Sequence, residues 1–326
     1  MRGGFFRGFM DNKILITGAT GFIGRSLVKE LLGKGHSDIT ALVRKSSDTA
    51  FLKKNGVTLV YADLADKRSL NSVAGEWGIV FHCAGLVGNY GLGKLRRVNL
   101  EGTKNICRLA FERKAAKFIY LSSIAVNSGN PEIPLTEKLP YKPTNNYGIS
   151  KMEAEIVVRE YLGKGLPAVI LRPCMVYGEG EPHMTNFLAG LLRLRLPIPY
   201  LPDKRWHLLS VSNLAACLLR CMGDPAALGE TFNIADKEVL SVRDIFKIFA
   251  DSWDTKPPAR LGLSGSLLES VPLIGKQLGF FYKDRVYSIE RLKDVLGFIP
   301  PYPLERELKR AADSCSGKKQ KKLPNK

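Results

Sequence analysis

Tyr147 and Lys151 stand four residues apart in Tyr147-Gly148-Ile149-Ser150-Lys151. On a helix that spacing puts both side chains on one face. A phenol titrates near ~10 in water, too high for a general base at neutrality. An ammonium held close favours the phenolate and lowers that value. A thousandfold gain in acidity asks for roughly 4 kcal/mol, which a lysine and a second cation in a dry site could supply. Upstream, Tyr120-Leu121-Ser122-Ser123-Ile124-Ala125-Val126 ends an apolar run in two hydroxyls. Together these groups could move a proton to or from an oxygen held at a strand end. Each has a plainer reading by itself: an exposed helix pair, and a serine pair capping a loop.

The elements that must position them begin with Lys13–Gly24, where Ile14 to Thr17 read as a buried strand and Gly18, Gly21 and Gly24 follow at three-residue intervals. A helix then starts at Arg25 and runs to Leu32. Such a strand–glycine–helix passage presents backbone N–H groups at a helix N-terminus, a site for a dinucleotide pyrophosphate. The spacing is one residue wider at its front than the common G-x-G-x-x-G fingerprint. Further strands are predicted at 38–43, 57–61, 79–83, 118–122 and 168–171, with helices over 98–114 and 146–161. Apolar strands separated by helices predict a parallel sheet covered on both faces, with its ligand at the carboxyl ends of the strands. The expected architecture is α/β: a doubly wound parallel Rossmann sheet with a smaller, loop-rich C-terminal substrate lobe.

Past Pro173 the pattern loosens and prolines cluster. Helices are predicted at 187–196, 211–222, 242–252 and 304–312, and a short strand at 231–234. The expected layout is a flexible leader over 1–11, a dinucleotide-binding domain over 12–180 and a substrate lobe over 181–313. Segments near 208–235 return to the first domain, and a basic tail follows at 314–326.

Several motifs occur in order: Thr17-Gly18-x-x-Gly21-x-x-Gly24, Asp63-Leu64, His82-Cys83-Ala84-Gly85, Asn99 with Gly102-Thr103, Ser122-Ser123, Tyr147-x-x-x-Lys151, and Arg172-Pro173 followed by Val176-Tyr177-Gly178. With them the chain resembles an extended short-chain dehydrogenase/reductase, of the NAD-dependent epimerase/dehydratase and 3β-hydroxysteroid dehydrogenase-like group, over residues 12–312. The resemblance implies that Tyr147 is the general acid/base, that Lys151 lowers its pKa and holds the nicotinamide ribose, and that Ser123 binds the reacting oxygen. Ser123 is chosen over Ser122 because it stands three residues before Val126. The cofactor would be held by Gly18, Thr20, Gly21, Phe22, Ile23 and Gly24, by Arg44, Asp63, Leu64, Ala84 and Gly85, and by Tyr147, Lys151, Pro173 and Val176. Asp63 and Leu64 would lie by the adenine, with Ala84 and Gly85 under the cofactor. Asn99 reads as a backbone tie and His82 as a buried strand residue.

An acid at the end of the second strand commonly selects NAD by accepting from the ribose 2′-hydroxyl. Here that place reads Leu42-Val43-Arg44-Lys45-Ser46-Ser47, with no acid before Asp48. Arg44 could pair a 2′-phosphate with its planar fork. NADP is therefore the preferred cofactor and NAD the alternative. The stretch 173–178 lacks the Asn that nucleotide-sugar enzymes of the group often carry, and Trp206 stands where they tend to have Arg, with Arg205 beside it. Trp206 would build an apolar wall, and Arg205 could still meet a phosphate by a one-residue slip. An apolar stretch over 261–281 adds to the expectation of a largely apolar, steroid-like, flavonoid-like or lipidic alcohol or ketone. A nucleotide-sugar epimerase or dehydratase is the alternative, and a catalytically idle nucleotide-binding assembly subunit a third.

The composition is that of a soluble globular protein, 45% hydrophobic and 25% charged. The net charge is +18, partly from Arg2, Arg7 and the tail lysines Lys318, Lys319, Lys321, Lys322 and Lys326. No zinc-finger spacing or aromatic-interleaved basic strand points to nucleic acid. Six scattered cysteines without C-x-x-C read as reduced thiols, with no metal site, which predicts a cytoplasmic protein. The basic balance and tail would suit weak contact with an anionic membrane surface. A small-molecule substrate and a homodimer complete the expected partners.

Overall fold

The computed structural model describes residues 13–73, 75–181, 203–261 and 283–315, with isolated positions between 188 and 199. The leader, the tail beyond 315, most of the helix expected at 187–196 and the apolar stretch at 262–281 lie outside the described residues.

Seven strands form one sheet: β1 (Ile14–Thr17), β2 (Ile39–Val43), β3 (Thr58–Tyr61), β4 (Ile79–His82), β5 (Lys117–Leu121), β6 (Ala168–Pro173) and β10 (Thr231–Ile234). Their order is β10-β6-β5-β4-β1-β2-β3, and every pairing is parallel. The order reverses between β1 and β4, so the crevice for a ligand opens at the carboxyl ends of those two strands. β1, β2, β4, β5 and β6 are buried at every residue. Burial on both faces is what their unbroken apolar runs require.

The helices that bear on the site are α1 (Phe22–Gly33), α2 (Gly102–Glu112) and α3 (Asn146–Gly163). Ile106 and Ala110 of α2 and Ala154 and Val158 of α3 share a core with Leu15, Val80, Phe118 and Tyr120 of the sheet. The helix expected from 98 instead begins at Leu92 and widens into a π turn at Arg96–Glu101. The widened turn carries Asn99, which is buried and bonded to neighbouring chain. Such local π turns often mark functional sites.

The chain divides into two compact units. The first comprises Met1–Cys174, Leu214–Ile234 and Ser288–Ile299. From sequence, Ser288–Ile299 belongs to the lobe, but its helix α6 (Glu290–Leu296) packs on β10, a non-local contact that local pattern does not reveal. Within this unit Lys117 is buried at the start of β5. Its Nζ donates to the carbonyls of Cys221 (2.8 Å), Met222 (2.9 Å) and Asp224 (2.9 Å), at the C-terminus of α4 (Val211–Gly223).

The second unit comprises Met175–Asn213, Ala235–Tyr287 and Pro300–Lys326. It holds β7 (Met175–Tyr177), β9 (Arg205–Ser210) and β11 (Val239–Ser241) in the order β11-β9-β7, and the short pair β8 (Ile198–Pro199) and β12 (Arg260–Leu261). Helices α5 (Val242–Ser252) and α7 (Leu304–Cys315) close its core around Tyr177, Trp206, Phe246, Phe249 and Leu308. Among the described residues no helix is long and apolar enough to cross a membrane.

Candidate active site

The glycine turn shows why each glycine is needed. Gly18 has φ +75°, and a Cβ there would meet Ala84 N at 2.7 Å. A Cβ on Gly24 would come within 2.2 Å of the Gly18 carbonyl oxygen. The turn after β1, the start of α1 and the turn after β4 are thus packed backbone against backbone. Ala84 N–H also donates to Thr17 Oγ1 (3.3 Å). Gly21 caps α1 without a side-chain acceptor, and the first turn of the helix holds no acid. The opening N–H groups of α1 have no partner inside the helix, and together with the helix dipole they favour an anion. Thr20 presents its carbonyl to Arg25 Nε (3.0 Å), and Phe22 and Ile23 are half-buried.

At the end of β2, Arg44 is exposed, and among the described residues its guanidinium has no hydrogen-bond or ion-pair partner. The acid that follows, Asp48, is occupied: it accepts from Ala50 N–H (3.0 Å) and from Arg25 Nη2 (3.1 Å), contacts that hold it below the usual carboxylate range. Asp63 accepts from Ala65 N–H (2.9 Å), and Leu64 presents its carbonyl to Asn105 Nδ2 (2.9 Å). The two residues form a fixed turn beyond β3.

Tyr147 lies in the first turn of α3, whose cap Asn145 accepts from Gly148 N–H (2.8 Å). Its phenol has the Ser123 side chain as a polar neighbour. Burial holds Tyr147 above the ordinary phenol range, and the Ser123 contact offsets part of that rise. Lys151 is buried one turn along. Its Nζ donates to Leu121 O (2.6 Å) and lies 4.5 Å from the centre of the Tyr120 ring. Burial pulls Lys151 down to about 7, against the attraction of Glu155. Gly85 is beside it: a Cβ there would stand 3.5 Å from Asn99 Oδ1 and 3.9 Å from Lys151 Nζ. The structure thus brings Ser123, Tyr147, Lys151 and Gly85 together. It does not show the expected lowering of the Tyr147 pKa, because the lysine is turned to a strand carbonyl and burial dominates.

Two sets of bonds hold this cluster. Asn99 Oδ1 accepts from Leu86 N–H (2.7 Å), and its Nδ2 donates to Leu86 O (3.0 Å) and Ser150 Oγ (2.9 Å). Glu155, fully buried one turn beyond Lys151, accepts from Arg172 Nε (3.1 Å) and Nη2 (2.6 Å), from Ser122 Oγ (2.8 Å) and from Tyr141 OH (2.9 Å). Burial pushes this carboxyl up, but Arg172, Ser122 and Tyr141 outweigh it, and Glu155 ends below its ordinary value. Its role escaped the sequence, although Lys151 and Glu155 repeat the four-residue spacing that marks one helix face. His82 bridges Thr17 Oγ1 (2.7 Å) and Thr103 Oγ1 (2.9 Å), and burial lowers it to about 3. It is a structural group, neutral at physiological pH.

Pro173 ends β6 in the first unit, whereas Val176 sits on β7 in the second. Trp206 is buried in the core of the second unit with Tyr177 and Phe246, so it is a packing residue there and forms no open wall. Arg205 is engaged by Asp284, with its N–H donating to Oδ1 (2.8 Å) and its Nε 3.8 Å from the same oxygen.

A glycine cradle at the point of strand reversal, followed by Ser123 and the Tyr147/Lys151 pair at neighbouring strand ends, fits a nicotinamide dinucleotide. The comparisons agree: residues 14–235 match the NAD dependent epimerase/dehydratase family, and the chain belongs to that family. It is therefore an enzyme of the extended short-chain dehydrogenase/reductase type. UDP-glucose 4-epimerase of Vibrio cholerae is 28% identical over 323 residues, covering 94% of this chain and 96% of its own. Ceramide reductase of Caulobacter vibrioides is 31% identical over 210 residues, 63% of this chain and 59% of its own. The crystal structure of Thermotoga maritima UDP-glucose 4-epimerase with UDP-glucose aligns with a TM-score of 0.76 at 21% identity, over 92% of this chain and 97% of that one.

Proposed function

We propose that the enzyme moves a hydride between NADP(H) and a secondary alcohol or ketone on a largely apolar substrate. The carrying observation is the buried Lys151 ammonium one turn from Tyr147 on α3, bound to the Leu121 carbonyl at the carboxyl end of β5, with the Ser123 side chain as polar neighbour of the phenol. When bound, the nicotinamide supplies the hydride acceptor or donor. Tyr147 handles the matching proton: it protonates the carbonyl oxygen in reduction and takes the hydroxyl proton in oxidation. Ser123 binds the reacting oxygen and keeps the phenol aimed at it. Lys151 holds the ribose hydroxyls and, in its charged form, favours the phenolate. Burial keeps the free phenol protonated, the form that reduction requires.

Arg44 supports NADP, since it extends from β2 with no acid at the strand end to compete for its fork. The apolar substrate is supported by the absence of an Asn over 173–178 and by the pairing of Arg205 with Asp284, which leaves that guanidinium less suited to a substrate diphosphate. A second reading, nucleotide-sugar epimerisation, is favoured by the near full-length likeness to the Vibrio enzyme. Assays with NADPH and a ketone panel, and with UDP-glucose and UDP-galactose, separate the two. Net NADPH oxidation is expected with ketones, and interconversion of the sugars without net oxidation would replace the reading. Tyr147→Phe should lower kcat by about 10²- to 10⁴-fold while NADPH still binds; unchanged turnover would remove Tyr147 from the chemistry.

A further inference from the structure

The proposed chemistry needs Lys151 as an ammonium, yet the residue is buried. A buried amine keeps its proton only where its neighbours favour the charge. The groups around it come from three elements and one turn. His82 ends β4 and Cys83 follows it, while β5 supplies the Tyr120 ring and the Leu121 carbonyl. Tyr147 and Glu155 stand one helical turn to either side on α3, and the uncharged Asn99 reaches the same place beside Gly85. Burial keeps His82 neutral and pushes the Cys83 thiol up to about 12. Burial likewise holds the Tyr120 and Tyr147 phenols in their protonated form. Among the described residues around Lys151 this leaves Glu155 as the one negative charge, held ionised by Arg172, Ser122 and Tyr141. Arg172 and Arg159 are the cations paired with that carboxylate.

The hydrogen bonds tie the same carboxylate to the lysine's seat. Lys151 Nζ donates to the carbonyl of Leu121 (2.6 Å), and the next residue, Ser122, donates from Oγ to Glu155 Oε2 (2.8 Å). Ser122 N–H also donates to Leu171 O on β6 (2.7 Å), and Arg172, one residue further along β6, grips Glu155 through Nε and Nη2. The helix that carries the lysine and the strand end that receives it are thus joined one turn further along by Glu155. With one of its three donors on Leu121, the ammonium has two left for a ribose. We infer that Glu155 is a positioning residue for the proton transfer, the carboxylate that keeps Lys151 an ammonium on the Leu121 carbonyl. Being fully buried, it acts through the lysine and not on the substrate. The inference rests on Tyr147 and Lys151 as the acid/base pair, a role common to the reductase and epimerase readings.

The test reads the lysine directly. Full-length protein labelled with [ε-13C]lysine is titrated by NMR from pH 5 to 11, and Lys151→Met identifies the resonance. Glu155→Gln should raise the acid dissociation constant of Lys151 about tenfold, the effect of losing one nearby opposite charge. Glu155→Asp, which retains the charge, should recover at least half of that change on the pH scale. If Glu155→Gln does not fold, Glu155→Met/Arg172→Met, which replaces the buried pair by apolar side chains, is read in its place. A dissociation constant within about twofold of wild type in the folded variant without the carboxylate overturns the proposal. So does a change in Glu155→Asp as large as in Glu155→Gln, since packing and not charge would then be the cause. Turnover is followed separately, by NADPH oxidation with 2-hexanone and by epimerisation of UDP-galactose. With either substrate, the high-pH limb of kcat/KM should move to lower pH in Glu155→Gln, in step with the NMR midpoint. An even loss at every pH overturns the positioning role. Turnover of neither substrate counts against the proposed reaction, and the titration still decides the role of Glu155.

Discussion

Ser122 and Ser123 are neighbours of one chemical type, yet the fold gives them different work. Ser122 points into the protein and donates to the buried Glu155 carboxylate, while Ser123 accepts from Ala125 N–H and neighbours the Tyr147 phenol. Alternation along an extended strand end explains the split. Counting back from Val126 chooses Ser123; the structure shows Ser122 engaged by the buried Glu155 carboxylate. Arg44 and Arg25 divide similarly: Arg25 is spent on Asp48 and Thr20, whereas Arg44 stays open. If Arg44 holds a 2′-phosphate, Arg44→Ala should lower kcat/KM for NADPH by about 10- to 100-fold, the size of a lost charge-assisted hydrogen bond, with NADH unaffected. An unchanged NADPH/NADH ratio would rule the assignment out.

At the scale of elements, the site stands where three connections meet: the glycine turn after β1, the turn after β4 and the end of β5. β5 is anchored at its other end by Lys117, whose ammonium satisfies three carbonyls at the C-terminus of α4. Removing that ammonium leaves buried acceptors without a donor. Lys117→Met should therefore destabilise the fold by about 3 kcal/mol, measured by urea unfolding; a change under about 0.5 kcal/mol would show that the carbonyls find other donors. The main strands and helices were legible in the sequence, because apolar runs and turn residues report local structure directly. The π turn at Asn99 and strand β9 were not. The first is set by side-chain bonds to distant residues, and the second pairs with β7 and β11, far from it in sequence.

For the whole molecule, the two units carry buried ionisable groups of opposite pH dependence. In the first unit, burial, assisted by the Lys151 charge, lowers His82 to about 3 from an ordinary value of 6.5. Its neutral form is favoured in the fold, so its contribution is present above pH 6.5 and is lost as pH falls toward 3, on the order of 5 kcal/mol when complete. In the second unit, Asp236 is raised to about 6 from 3.8 by burial, against bonds from Asn213, Ser210 and Tyr177. Its protonated form is the favoured one, so that contribution is greatest below pH 3.8 and fades as pH rises through 6. Between pH 6.5 and 4, hydrogen-exchange protection factors, which divide out the slower intrinsic exchange in acid, should fall in peptides of β4 and rise in peptides of β9 and the turn at Asp236. An equal fall in both would show that these two groups do not govern the acid response.

Sequence alone determined the α/β class, the glycine turn, the parallel sheet and the Tyr147/Lys151 pair. Each of these is written in short-range spacing, where backbone geometry and helix or strand period leave few alternatives. Tertiary structure decided which side chains of equal chemistry remain available. Arg172 is bound to Glu155, Arg205 to Asp284, and Trp206 is enclosed in a core, while Arg44 stays exposed. A charged or apolar group is free for a ligand only if no distant part of the chain has already satisfied it, and that depends on contacts that sequence spacing does not record.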